Sequence, residues 1–162
     1  MKFDGLLLVD CWEDKWIHVS KNYKARQFYQ NIIKFISEYS FDNVYFFTNN
    51  DYRTHQCFYE HFRNNITVVK TVAELVGETF LVGGAAWDMC LHDPSNPSFT
   101  TLANAGKTVY SCPSMVDTEM GSTQIVTQDT FKYDRRIRWG KQNNLFCVSE
   151  FVGNKLTTYF KR

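Results

Sequence analysis

Gly5-Leu6-Leu7-Leu8-Val9-Asp10 is the segment that most restricts what this chain can become. Successive side chains of a β-strand point to opposite faces, so a run that is apolar at every position has two faces to bury. A strand with one wet face would alternate. An all-apolar strand fits the interior of a parallel sheet with helices above and below. The run also ends on a carboxylate, which is costly to bury without partners. Asp10 is therefore a candidate site residue as well as the end of a core strand.

The same rhythm of short apolar runs and amphipathic stretches continues along the chain. Ser20 is placed to cap a helix carrying Phe28, Tyr29, Ile32, Ile33, Ile36 and Tyr39 at helical spacing. Val44–Thr48 reads as the next strand and ends in the polar pair Asn49-Asn50. A helix with Cys57, Phe58, His61 and Phe62 on one side follows, then a third strand at Ile66–Lys70. Thr71-Val72-Ala73-Glu74 fits a capping box and predicts a short helix. Phe80–Gly84 is a fourth strand closing on two glycines. A segment through Cys90 reads as helical, is broken by Pro94 and Pro97, and resumes from about Ser98 to Ala105 with Gly106 as its stop. Thr108–Ser111 and Gln124–Thr127 supply two more strands.

Strand alternating with helix at this spacing predicts an α/β fold, a three-layer parallel sheet with helices on both faces. Leu145–Phe151 and Lys155–Phe160, joined across Gly153-Asn154, break the rhythm and read as a C-terminal β-hairpin. The expected organisation is one α/β domain over residues 1–162, with 145–160 as a hairpin appendage and a plausible handle for homo-oligomer assembly. A length of 162 residues agrees, being close to the ~150 of a typical domain.

Charge excludes some function classes. Eighteen basic residues against 17 acidic ones leave a net of +1, so no global field draws the chain to nucleic acid or to a membrane. The longest aliphatic stretch, Leu6–Val9, is far short of the ~20 residues a bilayer span requires. Met1-Lys2-Phe3-Asp4-Gly5 leads into the first strand with no cleavable apolar region, which predicts a cytoplasmic location. The five cysteines, Cys11, Cys57, Cys90, Cys112 and Cys147, form no Cys-x-x-Cys pair. That spacing indicates neither a zinc ribbon nor a redox pair, and no cofactor is expected.

Ligands of an open parallel sheet bind beyond the carboxyl ends of its strands. The residues falling there are Asp10, Thr48 to Asp51, Lys70, and Gly84 to Cys90. A thiol near a helix start and beside a cation has its pKa lowered toward that of a usable nucleophile, and a nearby carboxylate can take its proton. Trp12 and Trp87 flank Asp10 and Cys90 and are candidates, with Asn49 and Ala86, for the walls of a substrate pocket.

Local sequence sharpens this. Leu6-Leu7-Leu8-Val9-Asp10-Cys11-Trp12-Glu13-Asp14 resembles the opening of the isochorismatase-like cysteine hydrolases, in which a strand delivers the catalytic aspartate. Gly84-Ala85-Ala86-Trp87-Asp88-Met89-Cys90-Leu91 looks like that family's strand, turn and helix with the nucleophilic cysteine six residues after a glycine. Thr101–Tyr110 is similar to the helix, glycine and strand that come next, so the resemblance spans residues 5–118. It implies Asp10 as general base, Cys90 as nucleophile, and Lys70 as the ion-paired lysine that orients both. It further implies an amidase acting on a small molecule, with backbone N–H groups near Ala86 and Cys90 holding the oxyanion. The sequence departs from the family at Trp12, where glutamine is usual, and in the extra residues Pro94 to Pro97.

Two alternatives use the same residues. One is a non-catalytic binding or assembly module on this fold. The other is a haloacid-dehalogenase-like phosphatase, because Val44–Asn49 looks like that family's second motif and Leu81–Asp88 resembles its acidic fourth motif. That chemistry needs a second aspartate where Trp12 stands and a metal-binding acid where Gly84 stands.

The remaining polar clusters have plainer readings. Asp51 and His55 are four residues apart, but Arg53 occupies the place a metal ligand would need, so His55 is expected to be solvated or to cap a helix. His92-Asp93 reads as an ion pair beside the proline loop. Phe131–Lys141 interleaves basic and aromatic residues. On a neutral chain that is a solvated face sooner than a nucleic-acid surface, with Arg135 or Arg138 in reach of an anionic substrate in a neighbouring cleft.

Overall fold

In the computed structural model, residues 2–12, 19–49, 52–84, 90–111, 115, 149–152 and 155–158 are described. The all-apolar run lies within the first strand, β1 (Lys2–Val9). It is flanked by β2 (Ser40–Phe47) on one side and β4 (Thr79–Gly84) on the other. β3 (Thr67–Val68) and β5 (Thr108–Tyr110) complete a five-stranded sheet in the order β3-β2-β1-β4-β5. Every pairing in it is parallel.

The two faces of β1 are buried as its composition demands. Leu6 and Leu8 face one layer, with Val44, Phe46 and Leu81 of the neighbouring strands. On them lie Tyr29, Ile32, Phe35 and Ile36 of helix α1 (Val19–Ile36) and Phe58 of helix α2 (Gln56–His61). Leu7 and Val9 face the other way, with Tyr45, Phe47, Phe80 and Val82. That face is covered by Leu91 and by Phe99 and Leu102 of helix α3 (Phe99–Asn104). Each fully buried aliphatic side chain of this kind stabilises the fold by roughly 1.5–3 kcal/mol. The expected three-layer α/β architecture is present.

Local details follow sequence chemistry with two differences. The Glu74 carboxylate accepts from the backbone N–H of Thr71 at 2.8 Å, as a capping box requires, but the element it opens is a single 3₁₀ turn (Val72–Glu74). Of the helix expected through Cys90, the described part is a 3₁₀ turn (Cys90–His92), and residues 85–89 lie outside the described residues. The prolines at 94 and 97 leave it no room to continue. Ser98 then caps α3, its hydroxyl accepting from the Thr101 N–H. Ser149–Val152 (β6) and Lys155–Thr158 (β7) pair antiparallel, as a hairpin should. The strand expected at Gln124–Thr127 and the basic–aromatic segment Phe131–Lys141, with Arg135 and Arg138, lie outside the described residues. Among the described residues no helix is long and apolar enough to cross a membrane.

Candidate active site

Strand order decides where a ligand can sit. From β1 the chain moves outward to β2 and β3, then returns to the opposite side of β1 for β4. The reversal opens a crevice beyond the carboxyl ends of β1 and β4. Val9 pairs with both Phe47 and Gly84, so the residues after three strands emerge side by side. Gly84 is obligatory there. Its φ is +120°, and a Cβ would collide with the carbonyl oxygen of Val9.

Asp10 turns out of β1 with φ +51°, a left-handed conformation that is uncommon for residues other than glycine. Aspartate tolerates it better than most, at a cost of order 1–2 kcal/mol. Residues outside β1 hold it there. The Asp10 N–H donates to the Phe47 carbonyl at 2.8 Å, and its carboxylate, 0 % exposed, is met among the described residues by donors from Trp12 and Asn49. Oδ1 accepts from the Trp12 indole N–H at 2.8 Å and from the Asn49 backbone N–H at 2.7 Å. Oδ2 accepts from the Asn49 side-chain amide at 2.8 Å.

That amide has a second contact. Asn49 Nδ2 also donates to Cys90 Sγ, 3.3 Å away. At its other end, Asn49 Oδ1 accepts from the side-chain amide of Asn96 at 3.1 Å. A carboxylate from β1, an amide following β2, a thiol following β4 and an amide from the proline loop thus share one hydrogen-bonded cluster.

The surrounding loops are themselves pinned. Trp12 stacks on Tyr52, with ring centroids 4.5 Å apart, and forms an isolated bridge to Thr54. The Tyr29 hydroxyl donates to the Trp12 carbonyl at 3.0 Å, and the His55 N–H donates to that of Cys11 at 2.7 Å. Around Asn96, the Asp93 carboxylate accepts from the Ser95 N–H and hydroxyl at 2.8 and 2.6 Å. The Thr101 hydroxyl donates to the Asn96 carbonyl at 2.7 Å, tying the loop to the first turn of α3.

Of the residues singled out from sequence, Asp10, Trp12, Asn49 and Cys90 come together here. Lys70 stands apart from them. It is exposed beyond the edge strand β3, and its backbone N–H donates to the Glu74 carboxylate at 2.7 Å. Ala86 and Trp87 lie outside the described residues. His55 caps α2, its Nδ1 accepting from the Cys57 N–H at 3.1 Å, which is the plainer of its expected roles. Among the described residues no cluster of three or more His, Cys, Asp or Glu side chains is able to hold a metal ion. Asn96 was not singled out. Its only sequence signal is a polar side chain inside the loop between the two prolines.

The thiols are not alike. Burial, with Glu60 close by, pushes the Cys57 thiol up to about 11, so it is protonated and unreactive at neutral pH. Cys11 is buried, with its sulfur 3.8 Å from the Val9 carbonyl. Cys90 is half-buried at the start of its 3₁₀ turn and bonded to a side-chain donor. Cys112 and Cys147 lie outside the described residues.

No protein-family model and no curated protein matches this chain. Among solved structures, the crystal structure of a pyrazinamidase/nicotinamidase from Streptococcus mutans UA159 is similar at 15% identity and a TM-score of 0.44. The match covers 90% of this chain and 97% of that one. A likeness at that level carries neither fold nor activity across; the fold assignment here rests on the all-parallel strand order.

Proposed function

We propose that the protein is a cysteine hydrolase that cleaves an amide or related carbon–nitrogen bond of a small molecule. The observation that carries this reading is the Asn49 amide nitrogen donating at once to the Asp10 carboxylate and the Cys90 sulfur. A buried carboxylate and a half-buried thiol that share one amide donor, at the switch point of a parallel sheet, are the base and nucleophile of this reading. The resemblance of Leu6–Asp14 and Gly84–Leu91 to the isochorismatase-like hydrolases supports the same assignment.

In this reading Asp10 takes the Cys90 thiol proton as sulfur attacks the substrate carbonyl carbon. The carbon–nitrogen bond then breaks, and the nitrogen leaves with that proton. Water attacks the thioester, giving up a proton to Asp10; the carboxylic acid departs and the proton returns to sulfur. Trp12, with its indole N–H on Asp10 and its ring on Tyr52, lines the approach. Lys70 is exposed and bonded through its backbone to Glu74, and no step of this chemistry passes through it.

The test is a panel of small primary and secondary amides assayed for ammonia or amine release, with quenched samples weighed for an acyl adduct on Cys90. Turnover that disappears in both Cys90→Ala and Asp10→Asn supports the reading. No turnover of any amide, with wild-type biological behaviour in Cys90→Ala, replaces it with a non-catalytic binding module.

A further inference from the structure

We propose that Asn96 is a positioning residue that tunes the Cys90 thiol through Asn49. The proposal rests on the reading of Cys90 as an activated thiol and adds a residue the sequence did not bring forward. The Asn49 carboxamide has two N–H groups and one carbonyl. One N–H is on Asp10 Oδ2, the other is on Cys90 Sγ, and Asn96 donates to the carbonyl oxygen.

Donation into an amide carbonyl polarises that amide and strengthens what its N–H groups donate, because chained hydrogen bonds reinforce one another. The recipient here is sulfur, and a donor to sulfur stabilises the thiolate over the thiol. Asn96 is aimed by its own loop, with Thr101 on its carbonyl and Ser98 donating to the Asp93 carbonyl at 2.8 Å. The segment Pro94–Pro97 thus reaches back to the carboxyl end of β2 and fixes the donor that touches the thiol.

The charged and titratable groups around Cys90 act on it as well. Asp10 faces it from the end of β1, across the Asn49 amide. Asp93, in its own loop, is turned onto Ser95, and its N–H donates to the Cys90 carbonyl at 3.4 Å. His92 follows two residues on. On the side where Val69 and Val72 pack into the same core face, Lys70 and Glu74 are exposed. These groups are common to the wild type and Asn96→Ala, so a shift in that variant reports the amide chain, whereas Asn49→Asp and Asn96→Asp each also add a carboxylate to the cluster.

The experiment is the pH–rate profile of Cys90 alkylation by iodoacetamide, a reaction in which thiolate sulfur bonds to carbon and iodide leaves. Wild type is compared with Asn49→Asp, Asn96→Ala and Asn96→Asp. Asn49→Asp replaces the donor on sulfur with an acceptor and is expected to raise the midpoint by about one to two pH units, as loss of a hydrogen bond to a charged group should. Asn96→Ala shifts it in the same direction by less. Asn96→Asp, which sets an acceptor against the Asn49 carbonyl, shifts it further than alanine does.

The Asn96 variants carry the test alone if Asn49→Asp does not fold. A merely structural role for Asn96 would lower thermal stability and leave the midpoints where they are, and that result overturns the proposal. Shifted midpoints in a protein that hydrolyses no amide keep the relay and remove the hydrolase reading. Amide turnover with unshifted midpoints does the reverse.

Discussion

Two aspartates, Asp4 and Asp10, lie at opposite ends of the same region of chain and are satisfied in different ways. Asp4, within β1 at the amino end of the sheet, binds backbone. Its Oδ2 accepts from the N–H groups of Glu78 and Thr79 at 2.7 and 3.0 Å, which joins β1 to the start of β4. Those bonds, the one from Glu78 first, hold its carboxyl below the usual range. Asp10, at the carboxyl end, is buried, sits in a left-handed backbone conformation, and is met mainly by side chains. A carboxylate satisfied by backbone belongs to the scaffold. Asp10 is held instead by Trp12 and by an Asn49 that also touches a thiol, and its backbone cost is of the kind that gathers at functional sites, which is the basis of the catalytic role proposed for it.

The contrast can be broken most decisively by exchanging the charges. Asp10→Asn should abolish amide hydrolysis, by roughly 10³-fold or more in kcat/KM as for other residues of a nucleophilic unit. Asp4→Asn should leave kcat/KM within about twofold and lower only the thermal midpoint, because its partners, the backbone of Glu78 and Thr79 foremost, lie at the other end of β1 from Asp10. Equal losses of activity in the two would erase the distinction. Gly84→Ala tests the scaffold beside Asp10. With φ at +120° and its new methyl group against the Val9 carbonyl, it should destabilise by roughly 3 kcal/mol or more, measured by urea unfolding.

Trp12→Phe keeps the ring on Tyr52 and removes the indole N–H from Asp10. Leaving part of a buried carboxylate unsatisfied should cost about 1–3 kcal/mol of stability and reduce turnover along with it. The smallest effect concerns acid. Asp4, Glu74 and Asp93 are each held below their usual range, by backbone N–H groups for the first two and by the Ser95 hydroxyl foremost for the third. A lowered folded pKa favours the fold at pH above the unfolded value of about 4, and that contribution is lost as pH falls through the lowered one. The acid limb of thermal stability below about pH 4 should therefore be shallower in Asp4→Asn than in wild type. Parallel limbs would show that Asp4 contributes nothing through its charge.

How much of this the sequence made legible depended on range. β1, the parallel sheet and the two covered faces were visible because an all-apolar run has few ways to be buried. Asp10 and Asn49 were visible as polar residues following such strands, and His55 as a helix cap. What escaped was long-range pairing between side chains. Asn49 and Asn96 are 47 residues apart, and no local pattern announces that one amide will orient the other. The setting of Lys70 escaped for a related reason. Its neighbours read as a strand, but paired β3 stops at Val68, and the Lys70 N–H is taken by Glu74, the residue that opens the next turn. The segment at Cys90 reads as helical, yet Cys90–His92 is a 3₁₀ turn, because periodicity alone does not register how soon two prolines end it.

Competitive alkylation of the native protein with limiting iodoacetamide near pH 6, followed by mass mapping of all five cysteines, addresses the Asp10–Asn49–Cys90 cluster most directly. Cys90 should be modified first and by at least about tenfold over Cys57, whose thiol burial pushes up to about 11. Cys90 labelling no faster than the other four would mean that its contact with Asn49 does not activate it, and the nucleophile assignment would be wrong.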